Sequence, residues 1–276
     1  GWDRERMSYR LSEHAGHLRV VSYTGSTGWA TVDDAASAAG SPARLTVLRA
    51  DSAAASADGR TLATVATLPN AQRPAAIGKP GEQVYAVRFV GERGYVVTFR
   101  QVDPLYVLDL ANPADPRVAG EVELPGFSHT LVPLNGGLLL GVGRDADADG
   151  LLQGLQLTLF DVADAAAPRV LQTQTLGTRG SASALDFARH GLALRVDGAQ
   201  VRAALPVMLT DTPFGEARRG LQTLAVDTAA RTLVMGSLKA EIPGSSLVAP
   251  LAEERAALVG ERVLHLRAGT LADHAW

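Results

Sequence analysis

A chain of 276 residues, 46% of them hydrophobic, has enough apolar material to bury a core as one large all-β domain or as two smaller ones. Its formal net charge of −3 is interspersed, with no basic run to form a nucleic-acid surface and no acidic tail. Having no Cys, it has no disulfide, thiolate metal ligand or thiol nucleophile, and its longest apolar runs fall well short of a membrane-spanning helix. The opening Gly1-Trp2-Asp3-Arg4-Glu5-Arg6 has neither an initiator Met nor a signal-peptide apolar core, and reads as the start of a mature or truncated product.

In chain order, Met7 to Leu11 and His17 to Tyr23 alternate apolar and polar residues around Glu13-His14-Ala15-Gly16, which predicts a first hairpin. That places His14 and His17 at a turn, not on a helix where they could pair on a metal. Thr24 to Pro42 is rich in Ala, Gly and Ser, carries Trp29 and Asp33-Asp34, and reads as a surface insertion. Arg44 to Ala50 and Thr61 to Leu68 supply two further strands across a loop ending in Asp58-Gly59, and Asn70 to Glu82, with Pro74 and Pro80, breaks all periodicity. Val84 to Phe99 is the strongest hairpin signal, two alternating runs around Gly91-Glu92-Arg93-Gly94. Leu105 to Leu110 and Arg117 to Leu124 complete a four-stranded antiparallel meander.

The pattern then recurs. His129 to Gly143 is again strand, turn (Asn135-Gly136-Gly137), strand, and Leu155 to Leu176 repeats the second half. Asp109 and Pro116 both reappear 52 positions on, as Asp161 and Pro168. The shared content is a strand ending on Asp, an Asx-type turn, and a Pro that opens the next strand where no N–H is needed. A third copy predicts a hairpin over Ala184 to Val196, then strands at Val201 to Leu209, Leu221 to Thr228 and Thr232 to Leu238. Leu251 to Val259 has a helical composition. Its end nevertheless reads as a strand, because Val259-Gly260-Glu261-Arg262 repeats Val90-Gly91-Glu92-Arg93. Four-stranded meanders repeating at roughly 45 to 60 residues are the sequence form of a β-propeller. The predicted fold is therefore all-β, with about four to five four-stranded antiparallel blades near 7–68, 84–124, 128–176 and 184–238, and a partial one over 254–276. An incomplete last blade, with the N-terminus already used, predicts an open arc that is the C-terminal part of a larger propeller.

RFVGERGYVVTFRQVDPLYVLDLANPADPRVAGEVELPGFS (Arg88 to Ser128), LLLGVGRDADADG, LTLFDVADAAAPRV and ALDFARHGLAL resemble successive blocks of the secreted bacterial β-propeller family described as distantly related to WD-repeat proteins. The resemblance implies a secreted or periplasmic protein with its propeller in the C-terminal part, and no transferable reaction. Where that family carries an aromatic-Leu-His-Pro-like string, this chain has His129-Thr130-Leu131-Val132-Pro133.

Asp145-Ala146-Asp147-Ala148-Asp149-Gly150 is the one ligand-like constellation. Alternate carboxylates in a glycine-turned loop, here Asp145, Asp147 and Asp149, can converge on Ca²⁺, although Gln153 and Gln156 stand where further acidic ligands belong. Asp103, Asp109, Asn112, Asp115, Asp161 and Asp164 recur at strand ends and read as turn caps. Tyr85, Phe89, Tyr95, Phe99 and Tyr106 read as inter-sheet core, with Arg88, Arg93 and Arg100 alternating among them, while Trp2, Trp29 and Trp276 are too peripheral for a carbohydrate platform. Gly-x-Ser-x-Gly, a phosphate loop and His-Glu-x-x-His are all absent, so no catalytic residue is assigned. Ser181, Ser183, Asp186 and His190, and separately Ser128 and His129, are merely crowded. The expected function is a binding or scaffold module that recognises a protein or polymer through its loop face, without nucleic acid and without a membrane span. The alternative is a hydrolase with polar residues converging at a central channel.

Overall fold

The computed structural model describes residues 7–23, 41–51, 61–99, 102–147, 149–242 and 251–276. Trp2, Trp29, Asp33, Asp34, Asp58, Gly59 and Arg100 lie outside the described residues. The described elements are strands, apart from short 3₁₀ turns at Met7–Arg10, Ala184–Asp186 and Leu251–Glu253. Every ladder is antiparallel, and strands follow one another as meanders. Sheet one is β1 (Leu11–His14), β2 (His17–Tyr23), β3 (Ala43–Asp51) and β4 (Thr61–Leu68). Sheet two is β5 (Gln83–Val90), β6 (Arg93–Phe99), β7 (Val102–Asp109) and β8 (Arg117–Pro125), and sheet three is β9 (Phe127–Leu134), β10 (Leu138–Ala146), β11 (Leu152–Asp161) and β12 (Arg169–Leu176). In sheet four, β13 (Ala182–Ser183) and β14 (Ala193–Asp197) pair with opposite ends of β15 (Gln200–Thr210), followed by β16 (Ala217–Asp227) and β17 (Thr232–Ile242). Sheet five has three strands, β18 (Arg255–Val259), β19 (Arg262–Arg267) and β20 (Thr270–Ala275).

The chain forms two compact units, one of Gly1–Leu124 with Asp164–Pro168, the other of Pro125–Ala163 with Arg169–Trp276. In the first, Val21, Leu45, Val47 and Leu68 of sheet one meet Val84, Val87, Val96, Tyr106 and Leu108 of sheet two in a single buried cluster. The period-two alternation places these residues on one face of each sheet. In the second unit, Leu138, Leu140 and Val142 of β10 and Leu155, Leu157 and Leu159 of β11 pack onto Val201, Ala203, Leu205, Val207 and Leu209 of β15. Sheet five joins through Val263 against Ala204 and Leu221. The repeated Val-Gly-Glu-Arg motif makes the same turn twice: Gly91 (φ +53°) and Gly260 (φ +57°) open two-residue hairpin loops at a position few side chains tolerate.

The 52-residue repeat is a carboxylate clamp. Asp109 ends β7 opposite Arg93, the first residue of β6, and Asp161 ends β11 opposite Leu138, the first residue of β10. These are equivalent positions in successive sheets. Each Asp accepts the N–H two residues on at 3.1 Å (Ala111, Ala163) and the Nη2 of an arginine on the next strand at 2.6 Å (Arg117, Arg169). The Ala111 N–H and then Arg117 hold the Asp109 carboxyl below the usual range. Burial pushes Asp161 up, but Arg169, Arg231 and the Ala163 N–H outweigh it and hold it low. Asp227, ending β16 opposite Gln200, is a third copy that caps the N–H groups of Ala229 and Ala230 but uses Gln200 Nε2 at 2.7 Å in place of the arginine.

Two local expectations are corrected. Met7 to Leu11 is not a strand; Met7–Arg10 is a 3₁₀ turn that lays Tyr9 under the Arg88 guanidinium and carries Arg10 Nη2 to the Val84 carbonyl at 3.1 Å. Ala184 to Val196 is not a hairpin. Asp186 accepts the Ser183 N–H at 2.7 Å, and the N–H groups of Phe187 and Ala188 return to the Ala184 carbonyl, so the chain coils before β14 begins.

Candidate recognition face and buried charge clusters

The acidic loop lies between β10 and β11. Asp147 Oδ1 accepts the N–H groups of Asp149 at 3.1 Å and Leu151 at 2.9 Å, while Oδ2 accepts Gln153 Nε2 at 2.6 Å. Burial pushes the Asp145 carboxyl up, and the Asp147 charge adds to it. Among the described residues no three His, Cys, Asp or Glu side chains are grouped to hold a metal ion. A carboxylate oxygen that accepts an N–H keeps a lone pair, so these bonds order the Asp147 carboxylate and leave it able to meet a cation together with Asp145 and Asp149. Calcium calorimetry on the wild-type chain and a D145N/D147N/D149N variant checks this. Heats that differ between the two support a weak cation site on the three carboxylates, and superimposable heats retire it.

Beside that loop, two others complete one surface. Arg179, between β12 and β13, donates its Nε to the Leu152 carbonyl at 3.1 Å and accepts the Phe214 N–H at 2.7 Å on its own carbonyl. Its guanidinium stands 3.9 Å from Asp147. Phe214, in the β15–β16 turn, is 75% exposed, the most exposed large hydrophobic side chain among the described residues. It also has φ +55°, a left-handed conformation in which a bulky L-residue is strained. On the neighbouring loop, whose Leu152 carbonyl Arg179 holds, Leu151 and Leu152 are 51% and 41% exposed. The sequence reading missed Phe214. Its signal was an aromatic residue in Thr212-Pro213-Phe214-Gly215, a turn whose chemistry calls for small or polar residues.

Beneath the surface lie two buried clusters. His129 is the extra residue of a bulge in β9: Ser128 pairs with Gly143 and Thr130 with Val142, leaving His129 out of the ladder. A Cβ on Gly143 would overlap the Phe127 carbonyl, so the bulge requires glycine opposite it. The bulge re-aims the ring so that Nε2 lies 2.8 Å from Asp186 Oδ1, with Nδ1 3.0 Å from Thr130 Oγ1. Arg144 Nη2 donates to Asp186 Oδ2 at 3.0 Å, and Nη1 donates to the Ser181 carbonyl. The structure thus brings His129 and Asp186 together, with Arg144 and Thr130 added. His190 is exposed and accepts from Arg189 Nε, and Ser181 Oγ accepts the Thr210 N–H, both outside the cluster.

The second cluster has the same plan. Glu254 follows the 3₁₀ turn Leu251–Glu253, accepts Arg219 Nη2 of β16 at 2.7 Å on one oxygen, and has His265 Nε2 of β19 2.8 Å from the other. All three side chains are buried. Ala182, Met208 and Arg219 form one transverse row of sheet four, so both clusters flank one end of that sheet.

Comparison with known proteins places this architecture. An uncharacterized protein of Methanocaldococcus jannaschii is 38% identical over 107 residues, 39% of this chain and 16% of that protein. Another, of Archaeoglobus fulgidus, is 46% identical over 88 residues, 32% of this chain and 13% of that protein. The matched stretches thus span about a sixth or less of either relative, and both relatives are archaeal where the resemblance implied bacteria. The β-propeller domain of the trilobed protease from Pyrococcus furiosus aligns over 96% of this chain and 80% of that one, at 10% identity and a TM-score of 0.28. The family model for the β-propeller domain matches residues 6–267, nearly the whole repeated stretch, and the chain accordingly belongs to the β-propeller domain family.

Proposed function

We propose that the chain is a secreted or periplasmic binding module that recognises a protein or polymer through the loop face of its second unit. Phe214 carries the reading: a large apolar side chain held out in solvent on a strained backbone contributes little to the fold, and exposed aromatic anchors are what interfaces use. The extracytoplasmic location rests on the family resemblance of Arg88 to Ser128. The test separates ring from backbone. Phe214→Ala should leave stability within about 0.5 kcal/mol, as for a surface residue. Phe214→Gly should exceed Phe214→Ala by about 1 kcal/mol, the relief of left-handed strain outweighing the extra chain entropy that glycine loses on folding. Urea midpoints measure both, and a loss beyond about 2 kcal/mol in Phe214→Ala would make the ring structural.

The hydrolase reading has one observation in its favour: Thr130, His129 and Asp186 stand in the order of a nucleophile, base and orienting acid. Turnover of chromogenic esters or glycosides that Asp186→Asn abolishes and Phe214→Ala leaves intact would establish it.

A further inference from the structure

The three loops of the recognition face carry an unbalanced charge. Asp145, Asp147, Asp149, Asp211 and Glu216 stand on or beside them, against Arg179 and Arg218. Arg218 is engaged by Asp211 at 2.8 Å, and Arg179 stands by Asp147. Asp149 and Glu216 are exposed and have no ion pair among the described residues. The loops that carry the exposed Leu151, Leu152 and Phe214 therefore bear net negative charge. An acidic rim repels nucleic acid, anionic lipid headgroups and acidic polysaccharide, and attracts lysine and arginine. An exposed aromatic, joined through Arg179 to the loop that carries two exposed leucines, supplies the kind of apolar anchor that a protein interface uses.

We infer that the ligand of this face is a protein segment in which aliphatic or aromatic side chains stand next to lysine or arginine. This rests on the binding-module reading and deepens it by giving the partner's chemistry. Apolar side chains of the segment cover Phe214 and Leu151, and its cations meet Asp149 and Glu216. Rim charges act mainly on the encounter rate and are screened by salt, whereas the apolar centre sets how long the complex lasts.

The probes are three ten-residue peptides: Lys alternating with Leu, Glu alternating with Leu, and Lys alternating with Ser. Each is titrated by fluorescence anisotropy into the folded wild-type chain, Phe214→Ala and Asp149→Asn/Glu216→Gln, with melting curves confirming that the variants fold. The Lys–Leu peptide should bind at least tenfold more tightly than the other two. Phe214→Ala should weaken it about tenfold, and the double variant several-fold at low salt but little at high salt. Equal binding of Lys–Ser and Lys–Leu overturns the inference, because charge alone then suffices. Phe214-dependent binding of Glu–Leu overturns the basic partner while leaving the recognition face standing. Absence of any Phe214-dependent binding overturns both, as does Phe214-dependent binding to phosphatidylcholine vesicles that exceeds binding to the Lys–Leu peptide.

Discussion

Replacing Glu254 by Ala should lower the unfolding free energy by about 3–5 kcal/mol, the range for breaking a buried ion pair from one side. Arg219 is 2% exposed and Glu254 3%, so removing the carboxylate leaves a guanidinium that can neither reach water nor lose its proton. Its Nε has no protein acceptor to begin with, and Nη2 would lose the 2.7 Å bond to Glu254. His265 Nε2 would lose its 2.8 Å partner in the same step. The lost contacts span sheets four and five, so the damage should concentrate where β19 packs on β16. Hydrogen exchange should show β18 to β20 opening first. Asp273→Asn, which breaks the exposed pair with Arg262, should leave the urea midpoint nearly unchanged and serves as the control. Replacing Arg219, Glu254 and His265 together by Met, Leu and Phe should recover most of the loss, since a well-packed apolar set of similar volume is often neutral against a buried charged one. A Glu254→Ala loss below about 1 kcal/mol in urea denaturation would show that the cluster relaxes to solvent.

What was legible in the sequence is what acts over short separations. Alternating apolar residues mark most strands because one face of each sheet must be buried, and the Asp-to-Pro-Arg repeat was visible because its clamp closes within eight residues. The charge clusters were not visible: Arg144 reaches Asp186 across 42 positions and Arg219 reaches Glu254 across 35, separations that only packing of one sheet on the next brings together. His129 was noted for its neighbour Ser128, yet the bulge that turns its ring toward sheet four has no local signature. Ala184 to Val196 alternates well enough to read as a hairpin, and the Asp186 cap overrides it. In the acidic loop the alternate carboxylates are legible as spacing, whereas the way Asp147 gathers the Asp149 and Leu151 N–H groups is not.

Asp186→Asn should cost about 2–3 kcal/mol at neutral pH, the scale of losing hydrogen bonds to a buried charged group. It should also flatten the acid limb of the stability curve. Burial pushes the Asp186 carboxyl up, but His129, Arg144 and the Ser183 N–H outweigh it and hold the carboxyl below its usual range. With the folded value below the unfolded one, near 4, the unfolded chain binds more protons in that window. The contribution is therefore complete above roughly pH 4 and is lost as pH falls through the folded value. Asn has no proton to take up, so the wild-type curve minus the variant curve should decline below pH 4 as the Asp186 contribution is lost, on top of whatever the His129 partner of Asp186 adds at higher pH. Asp109 and Asp161 are also held low and shape the total curve, but they cancel in that difference. His129→Gln supplies the second arm. It keeps Arg144 and the Ser183 N–H on the carboxylate while removing the largest influence that lowers it, so the decline should begin at higher pH and be smaller. A difference curve that stays level from pH 7 to pH 3 would mean that Asp186 is ionised to the same extent in the folded and unfolded chains, and the His129–Asp186–Arg144 cluster would then hold sheets three and four by packing alone.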